Sequence, residues 1–426
     1  MSPHTDPSTA RFAGALSPWR ERARGLLVAG LVTSLAACGG GGGGSNTGVG
    51  TGGTGSFAVG SISGFGSIIV NGVRYNVGAN VVDDDGTALS ASDLGLGMTV
   101  EIRGSVDNDG VNGTAESVAS FSELKGPVTA VNASAGTLTV FGQTVRVNAA
   151  TVFDDVGGLP ALEVGNVVEV YGLPGTGGTI TATRIEREAV TIAAYGGDFR
   201  VRGAVENLLP EGSDFRFNVA TVEVTTNSEA TTIDGRLESG VYVSVRLNKL
   251  VQPDDSYAAE RVQVKTRSYD DDVDEAEIEG LVSDYTSLGE PFKVNGYAVR
   301  LDAAVTYDNG AAGSLANGVR VEVEGNVASG VLVAREVKFE DENDDGGNDG
   351  SETPFEFNGV ATCSPCGNPS GTLDIRGETV VYDELTQFDD GVTPDNLNGA
   401  SVEIYAVAVT TSVGTTYLAT RIELDN

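Results

Sequence analysis

The chain has 426 residues, with 60 Asp and Glu against 26 Lys and Arg and a formal charge of −34. Such a surface repels phosphate backbones and anionic lipid headgroups, which argues against nucleic acid as a partner. Glycine is abundant at 59 residues, aromatics are scarce at 6%, and no long segment carries a period near 3.6, so short strands joined by tight turns are expected in place of helices. The single histidine, His4, and the single tryptophan, Trp19, both fall near the N-terminus.

In chain order, Arg20, Arg22 and Arg24 precede an apolar run from Leu26 to Leu35, and Leu35-Ala36-Ala37-Cys38 closes it. The run is shorter than the roughly 20 residues a spanning helix needs. This arrangement resembles the bacterial lipoprotein signal, in which the Cys is lipidated and the peptide is cut in front of it. The resemblance implies a signal peptide over 1–37 and lipidation at Cys38; an ordinary secretory signal or a short anchor is the other reading. Gly39 stands where an Asp would direct retention at the inner membrane, so the resemblance further implies the outer membrane of a Gram-negative cell envelope. Residues 38–56 then form the lipidated Cys and a Gly-rich tether with a root-mean-square reach of roughly 20–25 Å.

From Phe57 onward one pattern recurs five times, at intervals of roughly 65 to 80 residues. Each copy opens on an apolar strand around a glycine: Gly60, Gly126, Gly203, Gly280 and Gly359. A hairpin follows, turning at Asn71-Gly72, Phe141-Gly142, Val219-Ala220, Asn295-Gly296 and Arg376-Gly377. An apolar residue and an acid come next: Val82-Asp83, Phe153-Asp154, Ile233-Asp234, Tyr307-Asp308 and Phe388-Asp389. A second hairpin ends the copy. In its fourth version Val319, Val321 and Val323 alternate with Arg320, Glu322 and Glu324, the period of a half-buried strand.

Five short strands in so small a unit close most economically as a barrel, because closure removes exposed edges. The expected fold is therefore all-β: a tandem array of five small antiparallel β-barrels, OB-like or SH3-like, with a small sandwich as second choice. The units span 57–122, 123–190, 198–268, 276–339 and 354–426. An acidic linker over 269–275 separates the third from the fourth, and an acidic, Gly-rich linker over 340–353 separates the fourth from the fifth. Units of this size are marginal alone, so neighbours should lean on each other. The lipobox, the poly-Gly tether and repeats of the form G-x-V, V-N-G, L-x-x-G-x-x-V-E-V and A-x-x-I resemble the bacterial family called domain of unknown function 5666. The third unit departs most, with Ser244 where the others carry Glu101, Glu169, Glu322 and Glu403. The family brings no catalytic residues, so the resemblance implies location and architecture only.

The four glutamates lie between valines on what reads as a solvated face. Arg184 and Arg421 are placed to pair with Glu169 and Glu403 across strands, which is ordinary sheet stabilisation. The five recurring aspartates read as turn residues before they read as a repeated ligand site. Cys363 and Cys366 have thioredoxin-like spacing but lie after a strand, not at a helix start, and a disulfide stapling a turn is expected. The segment from Asp341 satisfies D-x-[DN]-x-[DN]-G-x₅-E, with oxygen ligands at Asp341, Asn343, Asp345 and Glu352 and a turn at Gly346. Against calcium there, Asn348 stands where EF-hands carry an apolar residue and no helix pattern flanks the loop.

These features point to a lipid-anchored, non-enzymatic cell-envelope protein that binds, spaces or scaffolds. A calcium-responsive binding module is the alternative from another class, and an enzyme acting on envelope polysaccharide ranks third. The partners expected are the membrane, through the lipid, and an envelope protein or polysaccharide. No cofactor is expected; calcium at Asp341, Asn343, Asp345 and Glu352 belongs to the alternative reading.

Overall fold

Val321 and Val323 are fully buried in the strand Arg320–Ala328, while Arg320, Glu322 and Glu324 point the other way, as the alternation requires. This strand folds back on Val331–Phe339 as an antiparallel hairpin. It also pairs with the first strand of its unit, Glu275–Ser283. That strand pairs in turn with Phe292–Val294, which forms a hairpin with Tyr297–Asp308. A parallel pairing of Tyr297–Asp308 with Val331–Phe339 completes the circuit. The strands therefore follow the cyclic order 1-2-3-5-4-1, a closed five-stranded barrel of the OB-like kind.

The computed structural model describes residues 55–340 and 355–425, apart from Ala79, Asp109, Ser364, Asn368, Ser412 and Val413. Cys38 and the segment holding Asp341, Asn343, Asp345 and Glu352 lie outside the described residues. The circuit recurs in all five modules. The parallel third-to-fifth pairing joins Val73–Val77 to Asn112–Phe121, Gln143–Arg146 to Ile180–Ala189, Val222–Thr225 to Tyr257–Val264, and Glu378–Tyr382 to Thr415–Leu424. Among the described residues there is no α-helix, only short 3₁₀ turns such as Leu159–Ala161.

Two landmarks of the repeat meet in space. The turn residues Asn71, Phe141, Ala220, Asn295 and Arg376 all adopt φ between 48° and 56°, the left-handed region that a tight hairpin demands. Each folds over the glycine of its own first strand. A Cβ on Gly60 would run into the Asn71 side chain, one on Gly126 into the Phe141 ring, and one on Gly280 would sit 2.6 Å from Cβ of Asn295. The glycine leaves the space that the turn occupies.

The array is not a string of beads. The N-terminal half of each first strand pairs inside its barrel on one edge only, and in module one the first strand pairs with two other barrels, one along each half. Ser56–Val59 pair in parallel with Glu275–Ile278 of module four, and Gly64–Phe65 with Glu356–Phe357 of module five. Lys125 and Leu124 of module two pair with Arg200 and Val201 of module three. Closure of each barrel thus leaves a short edge on the long first strand, and another barrel covers it. The apolar cores follow these joins. Modules one and five share one core, modules two and three another, and Phe57, Val59 and Phe121 of module one pack into the core of module four.

Candidate functional site: the polar cleft between barrels

The loop after the third strand of module one carries Asp83, Asp84 and Asp85. Asp83 turns the loop, its Oδ1 accepting from the amides of Asp85 at 2.9 Å and Thr87 at 2.7 Å. That aims Asp84 inward, where it is buried. Module three meets it with alternate residues of a first strand, Arg200 and Arg202, and with Lys265 and Arg267 just past its last strand. Lys265 Nζ lies 2.9 Å from Asp84 Oδ1, Arg200 3.6 Å and Arg202 4.0 Å from its carboxylate, and the Ser244 hydroxyl donates to it. Burial works to raise the Asp84 carboxyl, but Arg202, Lys265, Arg200 and Ser244 outweigh it and hold the group well below the usual carboxylate range.

A second buried acid, Glu123, sits at the join of modules one and two. It accepts from the Tyr242 hydroxyl at 2.8 Å and faces Arg267 at 3.7 Å and Arg202 at 3.9 Å. The Arg267 guanidinium stacks over the Tyr242 ring, 3.7 Å from its centroid. Module four closes the other side, where Tyr297 donates to Glu101 Oε2 at 2.9 Å. Asp84, Arg202, Lys265, Arg267, Glu101 and Tyr297 of this set line a cavity of about 420 Å³. A second cavity of about 430 Å³ opens between modules one, two and three, lined by Met98, Lys125, Glu169, Tyr195 and Arg246 among others.

The recurring glutamates do not face bulk water. Glu169 is buried and pairs with Lys125 at 2.6 Å; Glu403 pairs with Arg74 of module one at 2.8 Å; Glu101 takes Tyr297 of module four. What alternation marks as a solvated face is, at these positions, a contact face between barrels or a buried pair. Glu322 lies opposite Glu279 and beside Glu277 on module four. Burial first, then Glu322 and Glu324, push the Glu277 carboxyl well above its ordinary value. The expected pairs Arg184–Glu169 and Arg421–Glu403 do not form. In both hairpins Glu faces Glu across the strands, Glu169 opposite Glu186 and Glu403 opposite Glu423, and each Arg stands two places along. There it reaches the landmark aspartate of its own module: Arg184 pairs with Asp154, and Arg421 with Asp389 at 2.8 Å. Arg261 pairs with Asp234 at 2.6 Å in the same way, and Asp308 Oδ1 accepts from the Asn309 amide at 3.0 Å. The five aspartates act as turn and ion-pair residues, each within its own barrel.

Cys363 and Cys366 face each other beside the core of modules one and five, with Cα atoms 5.0 Å apart, within the roughly 4.4–6.8 Å span of a disulfide. Among the described residues no group of three or more His, Cys, Asp or Glu side chains is placed to hold a metal ion. Sequence reasoning missed Asp84, Glu123, Arg202, Tyr242 and Arg267. The signal was there in Arg200-Val201-Arg202 and Lys265-Thr266-Arg267, basic residues at strand spacing in a chain with few of them.

Comparison with known proteins adds the following. The model of a family described as "Domain of unknown function (DUF5666)" matches residues 58–119, 125–186, 279–338 and 367–423, that is, every module but the third. No curated protein matches. Two solved structures are similar in part: a Drosophila structure titled Unr CSD456, at 14% identity over 53% of this chain and 96% of that one, and a Streptococcus pneumoniae multidomain protein titled as having nucleic acid binding domains, at 7% identity over 53% and 73%. Both superpose with a TM-score of 0.13, which carries no argument about this chain.

Proposed function

Since this chain belongs to the DUF5666 family, matched over more than half its length by a description that names no activity, we propose its role from its architecture: a lipid-anchored, non-catalytic scaffold of the cell envelope. The observation that carries the reading is the backbone pairing of first strands between barrels, Ser56–Val59 with Glu275–Ile278 and Gly64–Phe65 with Glu356–Phe357. Pairing of that kind spends surface on holding modules to one another, as a platform requires and independent binding beads do not. Of the acids that repeat along the chain, Glu169, Glu403, Asp154, Asp234 and Asp389 pair with Lys or Arg, and Glu101 with Tyr297. Glu277 and Glu322, a close carboxyl pair in which burial raises both groups, line neither of the two cavities; in the cavity between modules one, two and three burial raises Glu186, and its neighbour Glu169 is paired with Lys125. The anchor is Cys38, and the outer membrane is its place.

The test joins both parts of the proposal. Intact-mass analysis of protein extracted from membranes should show a chain beginning at acylated Cys38. Limited proteolysis followed by native size exclusion should return the barrels as one particle. A mature start elsewhere or a missing acyl mass refutes the anchor, and separable barrels refute the scaffold.

A further inference from the structure

We propose that the cavity between modules one, three and four is a binding site for a neutral, hydroxyl-rich ligand of the saccharide class. This goes beyond the scaffold reading and stands whether or not the chain is anchored. Its lining includes Glu101 and Phe121 of module one, Arg202 and Gln263 of module three, Arg267, and Tyr297 of module four, and its volume is about 420 Å³. That lies within the roughly 300–1,000 Å³ typical of small-molecule pockets.

The central observation is Arg202. Its side chain is 6% exposed, yet its Nε and Nη1 have no hydrogen-bond partner. The carboxylates nearest to it, Asp84 at 4.0 Å and Glu123 at 3.9 Å, neutralise its charge from beyond hydrogen-bond reach. The Phe121 ring, 4.3 Å away, holds the guanidinium in place. Its basic neighbours differ. Lys265 reaches Asp84 at its carbonyl (2.7 Å) and at its carboxylate (2.9 Å), and Arg267 Nη1 donates to the backbone and side-chain oxygens of Asn295. Only Arg202 keeps open donors, and on the same lining Gln263 keeps a buried Oε1 with no donor. Polar atoms buried without partners are costly, and a site that leaves donors and an acceptor open together fits a ligand able to fill both.

Charge selects the class. The lining sets Arg202, Lys265 and Arg267 against Asp83, Asp84, Asp85 and Glu101. An anion reaching Arg202 meets four carboxylates, and a cation meets the guanidinium. A hydroxyl group both accepts and donates, so a sugar satisfies Arg202 and Gln263 without adding charge, and the rings of Phe121 and Tyr297 offer apolar surface to its C–H face.

The test is titration calorimetry on the full mature chain with four neutral probes, glucose, N-acetylglucosamine, maltose and chitobiose, and two anions, citrate and inorganic phosphate. At least one sugar should bind at one site, more tightly than either anion. Arg202→Met and Gln263→Leu should each weaken it about tenfold, a loss of about 1.4 kcal/mol per tenfold. Ala119→Leu, which fills the cavity without adding or removing a charge, should abolish binding with an unchanged circular dichroism spectrum. If Arg202→Met does not fold, the other two variants decide. The proposal is overturned if none of the four sugars binds, if citrate or phosphate binds more tightly, or if Gln263→Leu and Ala119→Leu bind as the parent does.

Discussion

Replacing Gly280 by Ala tests the account of the repeated glycine. An alanine Cβ there would stand 2.6 Å from Cβ of Asn295, 2.8 Å from its backbone N and 3.1 Å from its Cα. Two of these are backbone atoms, so no side-chain rotation relieves the clash and the turn itself must move. Asn295 has little freedom to do so: it is buried, holds φ at 48°, and accepts from Arg267 through Oδ1 at 3.0 Å. Overpacking of this kind costs about 1–3 kcal/mol. Exchange of Gly for Ala in an allowed conformation returns about 0.4–1 kcal/mol by restricting the unfolded chain. The net expectation is a destabilisation of about 1–2 kcal/mol. Gly313 is the control, since a Cβ there meets nothing within 4 Å, and Gly313→Ala should stay within about 0.5 kcal/mol. Urea unfolding of the full chain, followed by tyrosine fluorescence, reads both. Equal midpoints for Gly280→Ala and the parent, or an equal drop for Gly313→Ala, would refute the claim that the glycine makes room for the turn.

Glu322 gives a pH dependence. Burial pushes its carboxyl up, Lys338 opposes, Glu340 and Glu279 add to the rise, and the result is about 8 against an ordinary 4.5. The folded chain then holds a proton that the unfolded chain has shed, so the contribution to stability is complete below pH about 4.5 and lost as pH rises through about 8. Melting temperature should fall between pH 5 and 8.5, and Glu322→Gln should flatten the fall; an unchanged slope in the variant contradicts the assignment. In the exported protein Cys363 and Cys366 should resist alkylation without reductant, and closing so short a loop contributes only about 2 kcal/mol, so reduction should disturb module five alone. Labelling of both thiols in native protein would end that idea. Calcium titration decides between the two readings of the acidic segment: heats near millimolar affinity that Asp341→Ala and Glu352→Gln each abolish make it a calcium loop, and three identical titrations leave only the charged linker that Asn348 and the unflanked loop favour.

The barrels were legible in the sequence because their signals are local. Val321 and Val323 between charges, Asn71-Gly72 between strands, and Gly60 ahead of them each report on residues nearby. The polar cleft was not, because alternation says which face of a strand is polar but not whether water or another barrel lies against it. Glu101 reads the same whether solvent or Tyr297 receives it. The ion pairs failed for a related reason. Same-face placement allowed Arg184 to reach Glu169, but pairing sets Glu169 opposite Glu186 and Lys125, and leaves Arg184 beside Asp154. Arg202 was invisible as a site because its partners, Asp84 of module one and Glu123 at the start of module two, lie far away in sequence.

The parallel pairing of Ser56–Val59 with Glu275–Ile278 sets a clock on folding. Ser61 and Glu279, at the end of this join, are 218 residues apart. At synthesis rates of roughly 5–20 residues per second, module one, complete at Phe121, is finished roughly 8–30 s before Ile278 is made and its outer edge can be covered. During that interval the edge strand is a template open to any other extended chain, including a second nascent copy of the same protein. A chain stopped after module three would keep that edge open for good and should self-associate through it. The long-range join that holds the finished molecule together is thus also the step at which its assembly is most exposed to error.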